Sequence, residues 1–371
     1  MASLPRRTLL LTCALVLGLV TPGIATGAQG PAAADPVATE FPPASPVMDA
    51  WYGKSVAVDG SYFLVGAPWD DRVVGNTTHY GVGSVWLYTE VDAAWTGTQF
   101  WPPYWQDGDD SNLYFGESVD VDGERFVAGA PRHNTAWAYE NDGGNWTPTE
   151  LAPGSAEVAQ FGNAVAISGT RIVVGAPGTG YDGNTGTPGP GSLHLFEYSG
   201  GGWTEQELPI DGAALGDQVG LGTSSLAVDG DVIVAGVSQG VPYGEWFGPG
   251  RIHVYTRNGV AWDEQLLAPA GLSMNDAFGW SVAIDGDRMV VGAPGDDTKG
   301  SNAGAMYVYE KSGDTWTKTT KLLAGDGEAA DTYGWSVGVA GNRISVGAPG
   351  TGEGGTIYWY AGAGDTWQTV P

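Results

Sequence analysis

The chain has 371 residues and carries 42 acidic side chains against 15 basic ones, which gives a formal net charge of −27 at pH 7. Such a negative field repels nucleic acid and anionic lipid, so the sequence excludes both as partners and predicts no membrane insertion. An acidic surface of this kind suits either solvation in high salt or the binding of cations. With 61 glycines, 16 tryptophans and 16 tyrosines, the chain has enough aromatic side chains for a large folded core.

The first 28 residues have the organisation of a secretory signal peptide. Arg6-Arg7 precedes an apolar run from Leu9 to Val20, and small residues follow the run. The run is too short to span a membrane. We therefore expect residues 1–28 to be removed on export, by the Sec or the twin-arginine route, and the protein to be secreted or held at the cell surface. Because Cys13 is the only cysteine, the mature chain has no disulfide and no thiolate metal site.

From residue 51 onward one pattern recurs six times. Each copy has an aromatic-Gly pair, a short apolar run and a Gly-Ala-Pro triplet, although the fourth copy is degraded. The copies begin at residues 52, 115, 161, 220, 278 and 333. A recurrence at this spacing indicates repeated supersecondary units.

The fifth copy illustrates the predicted unit of four antiparallel strands. The strands are predicted at Trp280–Ile284, Arg288–Val291, Ala305–Glu310 and Trp316–Leu323. Asp285-Gly286 predicts a tight hairpin, and Pro294 ends the second strand because proline has no N–H for the ladder. Four such strands per unit are typical of a propeller blade. The predicted fold is all-β, a β-propeller of six four-stranded antiparallel blades over residues 51–371, with seven blades as the alternative.

Residues 29–50 form the linker between the signal peptide and the first blade. Within it, residues 36–43 have the sequence of the end of a fourth strand that lacks its tryptophan. We expect this segment to pair with the last blade and to close the ring, which would leave no exposed sheet edge.

The paired Phe-Gly and Gly-Ala-Pro signatures resemble the FG-GAP repeat of integrin α-subunit propellers and of many secreted microbial proteins. The resemblance implies a propeller, with calcium bound in acidic loops between the first and second strands. Here those loops are short turns such as Asp229-Gly230 and Asp285-Gly286. Such a turn cannot surround a cation that takes about six to eight oxygen ligands. We therefore expect no required cofactor and no calcium at these family positions.

Function is expected on the variable-loop face, the side that carries the loops from second to third strands and the loops between blades. These loops differ strongly between copies, and they contain exposed aromatic residues and aspartates. Rings beside carboxylates suit stacking on sugars or contact with a protein, and the alternative is that these rings cover small apolar cores of the loops themselves. The predicted ligand-binding residues in these loops are Trp69, Tyr80, Trp101, Tyr104, Trp105, Tyr181, Tyr243 and Trp246. Trp280 and Trp335, at the starts of first strands beside the central channel, complete the set.

Several aspartates on the same loops are candidate ligands for calcium. They are Asp70, Asp71, Asp107, Asp109, Asp110, Asp296 and Asp297. Carboxylate and carbonyl oxygens are the ligands that calcium prefers. The alternative for these loops is a solvated acidic surface without a bound ion.

The sequence favours a secreted, monomeric, non-catalytic protein for binding or adhesion, whose partner is an extracellular glycan or protein. One alternative is an extracellular glycosidase or polysaccharide lyase that uses paired carboxylates on the same face. Another is a structural surface protein without a discrete ligand. Residues 334–338 match Gly-x-Ser-x-Gly, but they are a copy of the repeated first strand and not a strand-to-helix elbow. His194 and His253 share one repeat position, which predicts a structural role.

Overall fold

The computed structural model describes residues 50–92, 94–103, 105, 113–155, 157–180, 189–238, 248–352 and 354–370. The described residues form strands and turns, and no helix among them is long and apolar enough to cross a membrane. Six four-stranded antiparallel sheets are arranged as the blades of a β-propeller, as the sequence predicted. Residues 1–49, with the predicted signal peptide and ring-closing strand, lie outside the described part.

The blades follow one another along the chain. Blade 1 contains β1 (Ser55–Asp59), β2 (Tyr62–Ala67), β5 (Ser84–Val91) and β6 (Ala94–Phe100). Blade 2 contains β7 (Val119–Asp122), β8 (Arg125–Ala130), β9 (Thr135–Asp142) and β10 (Asn145–Leu151). Blade 3 contains β11 (Ala164–Ser168), β12 (Arg171–Ala176), β13 (Ser192–Ser199) and β14 (Gly202–Leu208).

The second half of the chain has the same arrangement of strands. Blade 4 contains β15 (Leu226–Asp229), β16 (Val232–Val237), β17 (Arg251–Asn258) and β18 (Ala261–Leu267). Blade 5 contains β19 (Val282–Asp285), β20 (Arg288–Ala293), β21 (Ala305–Ser312) and β22 (Thr315–Leu322). Blade 6 contains β23 (Ser336–Ala340), β24 (Arg343–Ala348), β25 (Thr356–Ala363) and β26 (Thr366–Thr369).

Blade 5 shows where sequence and structure differ in detail. The first strand begins at Val282 and not at Trp280, because the Trp280 N–H bonds the Ala277 carbonyl in a turn (3.0 Å). The second strand continues to Ala293 and ends before Pro294, as expected for a residue without an N–H.

A two-stranded ribbon in the second-to-third-strand loop of blade 1 was not predicted. It consists of β3 (Arg72–Val74) and β4 (Thr77–His79), which pair antiparallel around Gly75-Asn76. Valines and threonines on both sides of a Gly-Asn turn favour such a ribbon.

The core lies between blades and not within them. Alternate residues of each strand point to opposite faces of the sheet, so each blade buries one face against each neighbour. At the junction of blades 1 and 2, Leu64 and Leu87 pack against Phe126 and Tyr139. The fourth-strand tryptophan joins this packing, as Trp146 shows with its ring centroid 5.0 Å from that of Phe126. The recurring tryptophan therefore has the packing role that the sequence predicted.

Candidate functional site

The strand order separates two faces of the propeller. The aromatic-Gly pairs, the Gly-Ala-Pro turns and the long loops all lie on the variable-loop face. The turns between first and second strands lie on the opposite side, which we call the hairpin face.

Three aromatic side chains stack across the junction of blades 1 and 2 on the variable-loop face. The Trp69 ring stacks on Trp51, with centroids 5.3 Å apart and planes inclined by 29°, and on Tyr114 at 5.0 Å and 24°. Trp51 is 53% exposed and Trp69 is 37% exposed. We call these three residues the aromatic row. Exposed tryptophan and tyrosine side chains are enriched among residues that dominate binding energy.

The backbone places two of the three rings. Trp51 and Tyr114 each precede the aromatic-Gly pair of their repeat, and their φ angles are +53° and +58°. The same position has a positive φ in every repeat, at Trp51, Tyr114, Gln160, Gln218, Ala277 and Thr332. A left-handed conformation is unfavourable for residues other than glycine, so the surrounding fold must stabilise it.

Sequence reasoning identified Trp69 but missed Trp51 and Tyr114. The available signal was a doubled aromatic, since Trp51 precedes Tyr52 and Tyr114 precedes Phe115.

A cation lies at each end of the aromatic row. The Lys54 Nζ is 5.6 Å from the Trp51 ring centroid, and the Arg132 Cζ is 4.9 Å from that of Tyr114. Lys54 also lies 3.5 Å from Glu117. Burial raises the pKa of Glu117, although Lys54 and Arg132 act in the opposite direction. The row therefore combines exposed apolar rings with charges of both signs.

Trp101 and Trp105 form a second cluster around Arg72 of β3. The Arg72 Cζ lies 4.3 Å from the Trp105 ring centroid and 5.3 Å from that of Trp101. His79 of β4 packs edge-on against Trp105 at 4.9 Å. These two tryptophans are half-buried and fasten the ribbon to the blade 1–blade 2 loop, whereas Tyr80 beside them is 63% exposed.

Trp280 and Trp335 meet beside the channel, where the first strands of blades 5 and 6 begin. Their ring centroids are 4.9 Å apart and Trp335 is 41% exposed. The equivalent residues of blades 1 and 2 are Lys54 and Glu117. At this repeat position blades 5 and 6 thus carry tryptophans in contact, whereas blades 1 and 2 carry an ion pair. The remaining predicted aromatic residues, Tyr104, Tyr181, Tyr243 and Trp246, lie outside the described residues.

The first aspartate of each candidate pair is buried and hydrogen-bonded. Asp70 accepts bonds from the Ser84 hydroxyl (2.6 Å) and the Gln99 amide (2.8 Å), and burial raises its pKa. Asp296 accepts a bond from the Lys321 ammonium at 2.6 Å. Burial acts to raise the pKa of Asp296, but the Lys321 bond contributes to a net lowering.

The second aspartate of each pair accepts a backbone hydrogen bond from its own loop. Asp71 accepts the Gly81 N–H and Asp297 accepts the Asn302 N–H, each at 2.8 Å. Within the described ranges no group of three or more acidic, histidine or cysteine side chains is arranged to hold a metal ion. Asp107, Asp109 and Asp110 lie outside those ranges, and calcium binding by the seven aspartates stays a prediction.

On the hairpin face, each Asp-Gly turn is bonded to the next blade. The Asp59 carboxylate accepts the Gly123 N–H at 2.6 Å, and Asp285 accepts the Gly341 N–H at 2.5 Å. The same bond links Asp122 to Gly169, the Ser168 hydroxyl to Gly230, and Asp229 to Gly286. We call this series the hairpin relay. These aspartates, at the positions where the resemblance implies calcium, thus connect neighbouring blades.

A hydrogen-bonded Ser–His–Glu series lies in blade 3. The Ser192 hydroxyl is 2.8 Å from the His194 Nε2, and the His194 Nδ1 is 2.7 Å from Glu205. Ser192 and His194 are only 2% and 1% exposed, so this hydroxyl does not face a substrate site. In blade 4, His253 bonds Glu264 in the same way, which supports the structural role predicted for both histidines.

The comparisons agree with this fold. The model of the FG-GAP repeat family matches residues 151–196, 262–309 and 316–360. No curated protein matches the chain.

Among solved structures, the chain is similar to two putative 6-phosphogluconolactonases. The Bacteroides fragilis NCTC 9343 protein is 10% identical, with a TM-score of 0.51 over 86% of this chain and 83% of that one. The Bacteroides uniformis ATCC 8492 protein is 8% identical, with a TM-score of 0.53 over 85% and 83%. A GH74 xyloglucanase from Xanthomonas campestris is 15% identical, with a TM-score of 0.49 over 85% of this chain and 46% of that one. At their identities, the likeness to the two Bacteroides proteins shows the fold alone.

Proposed function

We propose that this β-propeller of FG-GAP repeats is a non-catalytic binding module, whose variable-loop face contacts a glycan or a protein outside the cytoplasm. The observation that carries the proposal is the aromatic row, because its two tryptophans remain exposed side by side on the variable-loop face.

The composition of the site supports this proposal. Trp51, Trp69 and Tyr114 offer rigid apolar surface, and Lys54 and Arg132 at its ends offer charged donors. Tryptophan, tyrosine and arginine are the residues most enriched at binding hot spots. The same groups suit a sugar, whose apolar ring faces stack on indole and whose hydroxyls accept hydrogen bonds from cations.

The carboxylates give less support to the alternative of a glycosidase or lyase. The Asp70 carboxylate accepts bonds from Ser84 and Gln99, and Asp71 accepts a backbone N–H of its own loop. A general acid or base must reach the substrate proton, and these groups are engaged in holding their loop.

The proposal predicts that Trp69→Ala weakens binding by about tenfold or more, the range of a hot-spot residue. Binding would be measured on a glycan array and on blotted extracellular proteins, with the mature wild type and the variant at equal concentration. Since Trp69 is exposed, the melting temperature of the variant should stay within about 2 °C of the wild type.

Tyr198→Ala is the matched control. Tyr198 carries a comparable cation contact, with the Arg125 Cζ 4.7 Å from its ring, but it lies near the hairpin face. Binding should survive in this control. Equal loss in both variants, or undiminished binding by Trp69→Ala, contradicts the proposed site. Release of products from the arrayed glycans would establish the enzyme alternative instead.

A further inference from the structure

The sequence contains two Asn-x-Thr triplets that the aromatic row does not use, residues 76–78 (Asn-Thr-Thr) and residues 145–147 (Asn-Trp-Thr). Such a triplet is the acceptor motif for attachment of a glycan to the asparagine side chain of an exported protein. Because the motif is short, it also occurs by chance. The surroundings of each copy in the fold therefore have to show whether its asparagine is accessible to an enzyme.

The first triplet lies at the tip of the β3–β4 ribbon. Asn76 shares the turn with Gly75, and Thr77 and Thr78 are the first two residues of β4. The side chains of Asn76, Thr77 and Thr78 are all exposed. A Cβ placed at Gly75 would meet no atom within 4 Å, so the space beside the turn is open. No hydrogen bond links the Asn76 carboxamide to another described residue.

The two faces of the ribbon have different surroundings. Arg72 pairs with His79, and both side chains contact the Trp105 ring. Val73 pairs with Thr78, so these two side chains share the opposite face, where Val73 is 66% exposed. The threonine that completes the motif is therefore reached from the solvent side, away from the tryptophans that fasten the ribbon.

The tip of the ribbon can also change its shape at little cost. Each strand has only three residues, and an isolated two-stranded ribbon is marginally stable. The side chains that fasten the ribbon, Arg72 and His79, lie at the end away from the turn. Residues 74–78 can therefore adapt to an enzyme's active site without disturbing a blade.

The second triplet, in contrast, is part of a blade. Asn145 begins β10, which pairs with β9 along its whole length. The Trp146 ring centroid lies 5.0 Å from that of Phe126 and 5.6 Å from that of Tyr62, so the middle residue of this triplet packs at the junction of blades 1 and 2. The Asn145 carboxamide lies 3.5 Å from the Thr147 hydroxyl. Fitting this triplet into an enzyme would require the junction to unpack.

We propose that Asn76 is a glycosylation site, modified after the propeller has folded, and that Asn145 is not modified. The glycan donor is an oligosaccharide linked to a lipid diphosphate. The Asn76 Nδ2 forms a bond to the anomeric carbon of the oligosaccharide, and the bond from that carbon to the phosphate oxygen breaks. The lipid diphosphate leaves with the electron pair, and the carboxamide loses one proton. The proposal rests on the export expected for this chain and is independent of the ligand of the aromatic row.

The test uses the protein secreted by the cells that naturally produce it. Trypsin cleaves after arginine and lysine, and the sequence has neither within residues 73–124 or 133–170. Digestion therefore places the two triplets in separate peptides, residues 73–125 and 133–171. Mass spectrometry should find a glycan on the first peptide, at Asn76, and should find the second peptide unmodified.

Thr78→Ala and Thr77→Ala form a matched pair of variants. Both shorten an exposed threonine of β4, but only Thr78 occupies the position at which the motif requires a hydroxyl. Thr78→Ala should therefore lose the glycan, whereas Thr77→Ala should keep it. Since both side chains are exposed, both variants should fold like the wild type.

Three results would overturn the proposal. The first is an unmodified residue 73–125 peptide in the secreted wild type, and the second is a glycan that persists in Thr78→Ala. The third is a glycan on both peptides, which would show that attachment precedes folding and that the fold does not select Asn76. Retention of the whole chain inside the cell would overturn the proposal as well, because it would remove the export on which the proposal rests.

Discussion

At the level of single residues, the candidate site was only partly predictable. Trp69 follows a Gly-Ala-Pro turn in a long loop, so its exposure could be expected from the repeat pattern. Trp51 and Tyr114 join it only because the residue before each aromatic-Gly pair is left-handed. A left-handed conformation cannot be predicted for a non-glycine residue from its side chain, because the surrounding fold imposes that conformation against the residue's own preference.

Asp120 of β7 gives a residue-level prediction about pH. Its carboxylate accepts the Val121 N–H at 2.9 Å and, across the junction, the Ile167 N–H at 2.8 Å. Burial raises its pKa to about 7, the two backbone bonds act to lower it, and Asp122 and Asp59 add to the rise. In the unfolded chain this carboxyl releases its proton at about pH 3.9. Between these values the folded state binds more protons, so its stability falls as the pH rises from about 4 to about 7.

We therefore expect Asp120→Asn to make the fall in unfolding free energy with rising pH smaller, by on the order of 1 kcal/mol or more. The free energy of unfolding in urea would be measured at pH 5 and pH 8 for the wild type and for the variant. Asp142→Asn, at an exposed hairpin turn, is the control and should keep the wild-type difference between the two pH values. A variant with the full wild-type difference would show that Asp120 does not titrate in this range.

At the level of elements, the turn chemistry was the most predictable part of the fold. Asp-Gly between two apolar runs indicates a hairpin, and the structure has one at each of the four turns between first and second strands that carry this pair. The relay could not be predicted, because the acceptor and the donor lie in different repeats. The β3–β4 ribbon could not be predicted, because its strands of three residues are too short to show the alternation of a strand.

The relay predicts that substitution of two aspartates of blade 5 lowers the unfolding free energy by different amounts. Asp285→Ala leaves the Gly341 N–H without its acceptor and should cost about 1 kcal/mol of unfolding free energy. Asp314→Ala, at the exposed turn between β21 and β22, should cost less than about half of that. Both would be compared with the wild type by urea unfolding.

Ala340→Asp extends this comparison to blade 6, where Ala340 stands at the relay position. Among the described residues β23 does not lie against β1 as the other first strands lie against one another, so the new carboxylate has no donor among them and should leave stability nearly unchanged. A gain of about 1 kcal/mol would instead place the Gly60 N–H within reach of the new carboxylate. Equal losses in the Asp285 and Asp314 variants would remove the relay as a stabilising contact.

At the level of the whole molecule, the charge of −27 predicts a strong dependence on salt. Repulsion between acidic side chains is stronger in the compact state, and salt screens it over about 10 Å at 0.1 M and about 3 Å at 1 M. The melting temperature should therefore rise steadily between about 0.05 M and 1 M KCl. A fall in the melting temperature over this range would show that screening of charge repulsion does not govern stability. A rise at about 1 mM CaCl₂, which adds little screening, would indicate a specific calcium site.

The repeat pattern predicted the architecture because packing between blades is local and is specified again in each copy. Blade number followed from counting the copies. The repeat pattern does not predict the packing of blades 1 and 6 on the faces that point away from blades 2 and 5, because no internal repeat has an equivalent contact. In blade 6, half-buried Ser345 stands where the other second strands have a buried apolar residue, and Ala340 stands where the other blades have a relay acceptor. These differences are recognised only by comparison with the five junctions of the structure.

The hairpin relay also bears on how such a molecule changes in evolution. Blades 1 to 5 each contribute one acceptor to the next blade, and blades 2 to 6 each contribute one amide to the preceding blade. A duplicated blade inserted at any of these five junctions therefore finds both hydrogen-bond partners. Copy number can therefore change by whole blades without leaving one of these amides unpaired. The loops of the opposite face take no part in this exchange and are free to diverge.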